Sequence, residues 1–248
     1  SGVKAALVAG TEDTVYTIQT SDLLAGYSDA DTGETATLSI LGLSATDGFI
    51  TQDATTGDYT YTPNPDFNGE VTLNYVVSDG NGGNLLATNS FNIEAVNDKP
   101  VRTAGNVSTQ YLLEDAPLAS MGLAGLTYSV SGGIDEADQT LTYTVTELPD
   151  PSKGIVYLAD GTTAVTAQQT LSLDELRGLT FLPAENAAGQ TTFSFSVTDS
   201  GDGDNTISET VALDILGFND TPILPVDAIS IDDASEDVAY TFSAADLL

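Results

Sequence analysis

Hydrophobic and polar residues alternate with a period of two along much of the chain. The alternation is clearest in residues 71–79 and 191–199, where Thr, Ser or Asn separates most of the apolar side chains. This period predicts strands with one buried and one exposed face. Breaks rich in Gly and Asp, such as residues 79–83, interrupt the pattern at short intervals. Helical periodicity is nearly absent, although residues 173–176 are compatible with one helical turn. The pattern therefore predicts an all-β fold.

The first hundred residues divide into short strands separated by turn signals. We place these strands at 3–9, 14–19, 35–42, 48–52, 58–62, 71–78 and 84–96. About seven short antiparallel strands in a segment of this length are typical of an immunoglobulin-like β-sandwich.

The chain also repeats itself. Glu-Asp begins at positions 12, 114 and 236, and Asn-Asp-x-Pro occupies 97–100 and again 219–222. Residues 61–79 align with residues 181–199 without a gap. Self-similarity of this kind indicates repeated structural units. We therefore divide the chain into module 1 (1–99), module 2 (100–221) and the opening segment of a third module (222–248).

The composition excludes several classes of function. The chain of 248 residues has 37 acidic and 5 basic residues, a net charge of −32, and neither Cys nor His. Disulfides, zinc sites with nitrogen or sulfur ligands, Cys nucleophiles and Ser-His-Asp relays are thus excluded. The negative charge predicts repulsion of nucleic acid and anionic membranes. No apolar run approaches the length of a membrane span, so we predict no direct membrane insertion.

The strand order places many of the acidic residues at the ends of the sandwiches. If successive strands run up and down, their loops alternate between two poles, and the exit pole of module 1 faces the entrance pole of module 2. The exit pole then receives Glu12, Asp66, Asn97 and Asp98. The entrance pole of module 2 receives Asp135, Glu136, Asp138, Asp199, Asp202 and Asp204.

Two facing groups of carboxylates repel each other by ~1 kcal/mol for each close pair in water. A divalent cation reverses the sign of this interaction. Ca2+ accepts six to eight oxygen ligands in an adaptable geometry, whereas Mg2+ needs a tighter octahedron and retains its waters. We therefore expect Ca2+ between the modules.

Four segments carry a family resemblance, namely 28–33 with its Asp-x-Asp, 59–69, 77–83 and 96–100 with its Asn-Asp linker. Together they resemble the cadherin-like modules of large bacterial repeats-in-toxin (RTX) adhesins. The resemblance covers nearly all of module 1 and, more loosely, module 2. It implies tandem immunoglobulin/cadherin-like antiparallel β-sandwiches with several Ca2+ ions at each junction.

The resemblance also implies which residues serve each junction. The junction between the two modules would use Glu12, Asp66, Asn97, Asp98, Glu136, Asp138 and Asp199. The next junction would use Glu114, Glu185, Asn219 and Asp220, and a preceding module would face Asp29, Asp31 and Asp79. Module 2 departs from the family pattern, because its Asp-x-Asp reads Glu136-Ala137-Asp138 and its fifth loop reads Glu185-Asn186.

Single Asp residues in loops have a simpler interpretation as turn residues. We interpret Asp47-Gly48 and Asp160-Gly161 as turns. The loop 199–204 is compatible both with a local Ca2+ loop and with a solvated turn. The junction differs from these cases, because the topology gathers residues from distant parts of the sequence there.

The resemblance implies calcium-rigidified extender modules of a secreted, cell-surface bacterial adhesin of the kind that supports cell adhesion and biofilms. Such modules project a ligand-binding region from the cell. The expected partners are neighbouring modules of the same chain and, through another region, a glycan or protein at a cell surface. A carbohydrate- or peptide-binding sandwich remains an alternative. We predict no enzymatic activity, because carboxylate-pair glycoside hydrolysis offers no pair to nominate in a chain without Trp.

Overall fold

The structure is a computed structural model that describes residues 2–30, 37–203, 205–222, 236–239 and 241. The first half of the chain forms short strands. They are β1 (Gly10–Thr11), β2 (Tyr16–Ile18), β3 (Ser39–Ala45), β4 (Phe49–Gln52), β5 (Tyr59–Thr62), β6 (Gly69–Ser78) and β7 (Asn84–Glu94). A one-turn helix, α1 (Thr20–Leu24), follows β2. Buried and less buried side chains alternate along most of β6, so the period of two in the sequence becomes a core face and an outer face.

These strands form two sheets, with the orders β1-β7-β6-β3 and β2-β5-β4. β1 runs parallel to β7, and the other pairings are antiparallel. Strand direction therefore alternates along the chain, and the first and seventh strands point the same way. The loops consequently alternate between two poles, which brings the end of β1, the β5–β6 loop and the residues after β7 to one pole.

The second half of the chain repeats this plan with additional short strands. It contains β8 (Val101–Ala104), β9 (Gln110–Leu113), β10 (Ala119–Ser120), β11 (Thr127–Ser129), β12 (Thr142–Glu147), β13 (Gly154–Tyr157), β14 (Thr170–Leu171), β15 (Thr180–Pro183), β16 (Gly189–Thr198) and β17 (Thr206–Leu216). The sheet orders are β14-β12-β16-β17-β9, β10-β15-β13 and β11-β8. Helix α2 (Leu173–Arg177) is the predicted helical turn, and its N-terminus carries a capping box between Ser172 and Glu175.

Each half buries its own hydrophobic core. The first core surrounds Tyr61 and Leu73, and the second surrounds Phe181, Phe193 and Phe195, all fully buried. Each core lies between two sheets, as in a β-sandwich. The predicted fold class of antiparallel β-sandwiches is therefore confirmed. The module boundaries at residues 99 and 221 stay predictions.

Two local predictions were wrong. The first strand is not at 3–9, because regular pairing is confined to β1, and Val3 and Val8 are exposed. The segment contacts β7 through side chains instead, since the Lys4 ammonium donates to the Thr88 carbonyl at 2.7 Å. Helix α1 was not predicted, because a single turn is too short to show helical periodicity.

Most of the opening segment of the third module lies outside the described residues. Its Glu-Asp dipeptide is described, and Asp237 has φ 60°, close to the values of 56° at Asp13 and 58° at Asp115. All three repeats of this dipeptide therefore share one backbone conformation. Among the described helices, none is long and apolar enough to cross a bilayer.

Candidate metal centre

Glu12 anchors the exit pole of module 1. It follows β1, and its backbone N–H donates to the Glu94 carbonyl at 3.0 Å, which extends the pairing with β7. Its side chain is only 3% exposed. Oε1 accepts a hydrogen bond from the Val96 N–H at 2.5 Å, whereas Oε2 is buried without a hydrogen-bond partner. One carboxylate oxygen thus holds the linker, and the other has no protein donor.

Glu136 binds the linker in the same way from the side of module 2. It ends a 3₁₀ turn, Ile134–Glu136, at the entrance pole of module 2, and it is 2% exposed. Oε1 accepts the Asp98 N–H at 2.5 Å, and Oε2 is buried without a partner. The linker backbone is therefore hydrogen-bonded to one buried glutamate of each module.

Asp199 and Asp98 share this pattern, and we group them with Glu12 and Glu136 as an inner set of buried carboxylates. Asp199 follows β16 and is 4% exposed; its Oδ1 accepts the Gly201 N–H at 3.0 Å. The Oδ2 atoms of Asp199 and Asp98 are buried without partners. Four segments of the chain thus each contribute one buried carboxylate oxygen that lacks a hydrogen bond. An unpaired buried carboxylate oxygen is costly in an apolar environment and suits a cation ligand.

Gly132 provides the room in which two of these oxygens lie. It has φ 97°, in the region that favours glycine, and a Cβ at this position would collide with the Glu136 and Asp98 carboxylates. The absence of a side chain therefore permits the two acidic groups to converge.

An outer triad lies next to the inner set and shares Asp98 with it. Carboxylate oxygens of Asp13, Asp66 and Asp98 lie within 4.8 Å of one another. Asp13 and Asp66 adopt left-handed conformations with φ 56° and 58°, which Asp tolerates better than most residues. The Asp13 Oδ1 also accepts the Asp66 N–H at 3.2 Å. Sequence analysis missed Asp13, although its place beside Glu12 in the repeated dipeptide was a usable signal.

Amide side chains link the two modules around these carboxylates. The Gln139 Nε2 donates to the Asn97 Oδ1 at 2.8 Å, and its Oε1 is buried without a partner. The Asn68 Nδ2 donates to the Asp135 Oδ1 at 2.5 Å. Glycine is also required at Gly201, where a Cβ would collide with the Asn97 carboxamide. Neither Asn68 nor Gln139 was among the residues predicted for the junction.

Burial, reinforced by neighbouring acidic groups, raises several pKa values at the junction. Burial raises the pKa of Glu12, and the charge of Asp135 adds to this effect. Burial also raises the pKa of Asp98, together with the charges of Asp13, Asp66 and Asp135. The pKa of Glu136 is raised by burial and then by Asp98, Asp135 and Asp199. Without a cation, the ionised junction is therefore electrostatically unfavourable.

The remaining predicted ligands lie elsewhere or at the edge of this centre. Asp138 and Asp202 are exposed, and Asp204 lies outside the described residues. Glu136 rather than Asp138 provides the buried carboxylate of the Glu136-Ala137-Asp138 motif. Asp29 and Asp79 line one pocket at the entrance pole of module 1, and Asp31 lies outside the described residues.

The exit pole of module 2 repeats that of module 1. The Glu114 Oε1 accepts the Phe218 N–H at 2.5 Å, as Glu12 does with Val96. The Asp115 Oδ1 accepts the Asn186 N–H at 3.0 Å. Asn219 and Asp220 are exposed, whereas Asn97 and Asp98 are partly buried. Thus Glu114, Asn219 and Asp220 gather at one pole, as the sequence predicts.

The donor set at the junction fits calcium better than other common metals. Its charged groups are carboxylates from separate loops, amide oxygens lie beside them, and the chain has no His or Cys. Hard oxygen ligands in an irregular arrangement suit Ca2+. The arrangement can hold a divalent cation between two modules, and the residues described here suggest no other chemistry at this site.

Comparison with known proteins supports the fold of the first half. Residues 1–94 match the family model described as a cadherin-like domain, so the first sandwich has the cadherin-like fold. Among curated protein sequences, none matches the chain.

Solved structures with a similar course of the chain include cadherin repeats. Protocadherin gamma B7 domains 1–4 give a TM-score of 0.35 and 15% identity, covering 87% of this chain and 50% of that one. Human CDH23 EC21–23 gives a TM-score of 0.39 and 15% identity, covering 85% and 72%. An endo-fucoidan hydrolase, MfFcnA4 of glycoside hydrolase family 107, gives a TM-score of 0.28 and 16% identity, covering 88% and 28%. The chain spans half the length of the protocadherin fragment.

Proposed function

We propose that this chain is a calcium-rigidified extender segment, in which Ca2+ bound between sandwiches fixes the angle of the linker. The observation that carries the proposal is the set of buried, unpartnered carboxylate oxygens at Glu12, Asp98, Glu136 and Asp199. They belong to module 1, the linker and module 2. Cations bound by these oxygens would cross-link the three parts.

The acidic residues at the junction have two roles, because some bind the linker backbone and some would bind the ion. Glu12 and Glu136 each use one oxygen for a linker N–H and would offer the second to Ca2+. Asp13, Asp66 and Asp98 would form an adjoining, more exposed site. Bound Ca2+ supplies positive charge that offsets the repulsion among these carboxylates, which otherwise favours separated modules.

The wider setting rests on the family resemblance and on the chemistry of the ion. Extracellular calcium-binding modules typically have dissociation constants of ~10⁻⁴–10⁻³ M, so their sites are filled outside cells and empty in the cytoplasm. We place the chain in a secreted bacterial adhesin of the RTX type, at the cell surface, where stiff modules hold a ligand-binding region away from the cell. Its direct partners are the adjacent modules, and its role is mechanical rather than catalytic.

Unfolding and small-angle scattering of the 248-residue chain, in chelator and in excess Ca2+, test this proposal. A tenfold excess over the dissociation constant stabilises by ~1.4 kcal/mol per site, which predicts a rise in melting temperature of about 5–10 °C. The pair-distance distribution should sharpen and extend, because the two modules stop changing their mutual angle. Unchanged melting temperature and unchanged distribution would refute the proposal.

Two charge-neutralising variants locate the effect. Asp98→Asn should reduce the calcium response, because Asp98 belongs to both the inner set and the outer triad. Asp160→Asn is the matched control, since Asp160 caps its own turn through the Thr162 and Thr163 N–H groups. An equal loss in both variants would show that only net charge matters.

A further inference from the structure

Asp47 is a partly buried carboxylate that the proposed calcium site does not use. It lies in the turn between β3 and β4, and its Oδ2 accepts a hydrogen bond from the Asn64 Nδ2 at 2.9 Å. Its Oδ1 is buried without a hydrogen-bond partner. A turn residue exposed to solvent would not need either feature.

Asn64 begins the loop that carries Asp66 into the outer triad. The Asn64 carbonyl accepts the Phe67 N–H at 3.2 Å, which closes a tight turn around Asp66. Asp66 has φ 58°, and its N–H donates to Asp13 at 3.2 Å. The hydrogen bond from Asn64 to Asp47 thus holds the base of a loop whose tip presents a candidate ligand.

The Asp47-Gly48 turn packs against a buried aromatic ring. Gly48 has φ 68°, and a Cβ there would collide with the Tyr61 ring and the Thr62 carbonyl. Tyr61 is fully buried, and its hydroxyl has no hydrogen-bond partner. Burial, followed by the charge of Asp47, raises the pKa of Tyr61 to about 12. The phenol keeps its proton at neutral pH, and its ring lies against the Asp47-Gly48 turn.

Module 2 replaces all three polar members of this arrangement. The cross-strand pair of Ile50 and Tyr61 in module 1 corresponds to the pair of Val156 and Phe181 in module 2. In this alignment Phe181 corresponds to Tyr61, Lys153 corresponds to Asp47, and Ala184 corresponds to Asn64. Gly154 corresponds to Gly48, and a Cβ there would likewise collide with Phe181 and the Leu182 carbonyl. The tight turn over the ring is therefore common to both modules. The Tyr61 hydroxyl, the Asp47 carboxylate and the Asn64 carboxamide are all present in module 1 and all replaced in module 2.

We infer that Asp47 is a positioning residue, which acts through Asn64 to hold Asp66 in the calcium-binding geometry of the outer triad. The inference rests on the proposed calcium function. Module 2 lacks the arrangement, and its corresponding loop carries Asn186 in place of Asp66. The polar trio therefore accompanies the loop that presents a carboxylate to a neighbour.

Calcium titration calorimetry of the 248-residue chain tests the inference through a double-mutant cycle of Asp47→Asn and Asn64→Ala. Loss of a residue that orients a metal ligand typically costs 10–100-fold in affinity, so each single variant should weaken the affected site about tenfold. The double variant should be no weaker than either single variant, because both remove one contact. Additive losses, or an Asn64→Ala affinity equal to that of the parent chain, would overturn the inference.

Two further variants separate positioning from stability and from charge. The triple variant Asp47→Lys, Tyr61→Phe, Asn64→Ala carries the residues of module 2, so it should melt in chelator near the parent temperature but bind Ca2+ more weakly. Asp53→Asn removes a carboxylate of the same module that is occupied by the Thr55 and Thr56 N–H groups, and it should bind normally. If the parent chain binds Ca2+ and the trio variants bind equally well, only the positioning role fails. If the parent chain does not bind, the proposed function fails as well.

Discussion

The two exit poles of this molecule share their hydrogen bonds but differ in their neighbours. Glu12 and Glu114 each accept one backbone N–H from the segment that follows the last strand of the module, at 2.5 Å in both cases. At the first pole, module 2 adds Glu136, which accepts the Asp98 N–H. Asp98 is then partly buried, whereas its counterpart Asp220 is exposed. Module 1 therefore provides one side of the proposed site, and module 2 adds a buried carboxylate at the first pole.

A second difference between the poles lies in the fifth loop. Asp66 and Asn186 occupy the same position, with φ 58° and 54°, and both donate their N–H to the Asp of the Glu-Asp dipeptide. The backbone is thus conserved between the modules while the charge is not. Backbone geometry and ligand charge can therefore be varied separately, which makes the comparison testable.

Glu136→Gln should have the largest effect, and it should act on the first pole alone. The amide oxygen can still accept the Asp98 N–H, so the linker contact survives, but a buried ligand charge is lost. We expect calcium affinity at the junction to fall by about 100-fold, at the upper end of what loss of metal-site groups costs. In chelator the variant should melt higher than the parent chain, because the pKa of Glu136 is raised by burial and its ionised form is unfavourable. Calorimetry and thermal melts would measure the two opposite changes, and a lower metal-free melting temperature would contradict this account.

Much of this comparison was accessible from the sequence, for physical reasons. Period-two alternation and frequent turn residues identify strands such as β6 and β16, and the repeated Glu-Asp and Asn-Asp motifs identify the poles. Alternating strand direction then brings Glu12 and Asp98 together without any knowledge of side-chain positions. These inferences depend only on the backbone.

The parts that could not be predicted depend on side-chain packing. Asp135, Glu136 and Asp138 are equivalent in sequence, yet the 3₁₀ turn buries only Glu136. Asp13 was overlooked because its role depends on a left-handed backbone that the sequence does not display. Asp47 in an Asp-Gly pair is typical of a turn, and its contact with Asn64 spans two loops. Local patterns report periodicity and turns, whereas these contacts arise between loops.

Gly132→Ala should weaken the first pole by a smaller factor. The new methyl group would collide with the Glu136 and Asp98 carboxylates and would also strain a residue with φ 97°. We expect about a tenfold loss of calcium affinity, comparable with displacement of an orienting group. Gly82→Ala is the matched control, because Gly82 has φ 111° and nothing within 4 Å of the added Cβ. If Gly132→Ala binds Ca2+ as tightly as Gly82→Ala, the space that Gly132 leaves for the two carboxylates is not needed for binding.

Exchanging the fifth-loop residues should alter each pole in the opposite direction. Asp66→Asn removes one of the three charges of the outer triad. A divalent ion at ~4 Å in water gains ~2 kcal/mol from a carboxylate, so affinity should fall by up to about 30-fold, and by less where solvent screens the pair. Asn186→Asp should increase calcium binding at the second pole, because the backbone already matches that of Asp66. Counting bound Ca2+ by equilibrium dialysis would measure both changes. A second pole that binds no more Ca2+ after the substitution would show that a neighbouring module is required before charge matters.

The smallest expected effect is a reversal of the pH dependence of stability when the ion is removed. Burial raises the pKa values of Glu12, Asp98 and Glu136 above their ordinary values of 4.5, 3.8 and 4.5 in the folded, metal-free chain. Between the ordinary and the raised values the folded state binds more protons than the unfolded state, so stability must fall as pH rises through this window. With Ca2+ bound the same carboxylates are held ionised, and stability should instead rise with pH as protons cease to compete. Melts across this window in chelator and in Ca2+ would show slopes of opposite sign, and Glu136→Gln should flatten both. Because the raised pKa values belong to the junction between the two modules, parallel slopes would mean that this junction does not create an electrostatic demand for a cation.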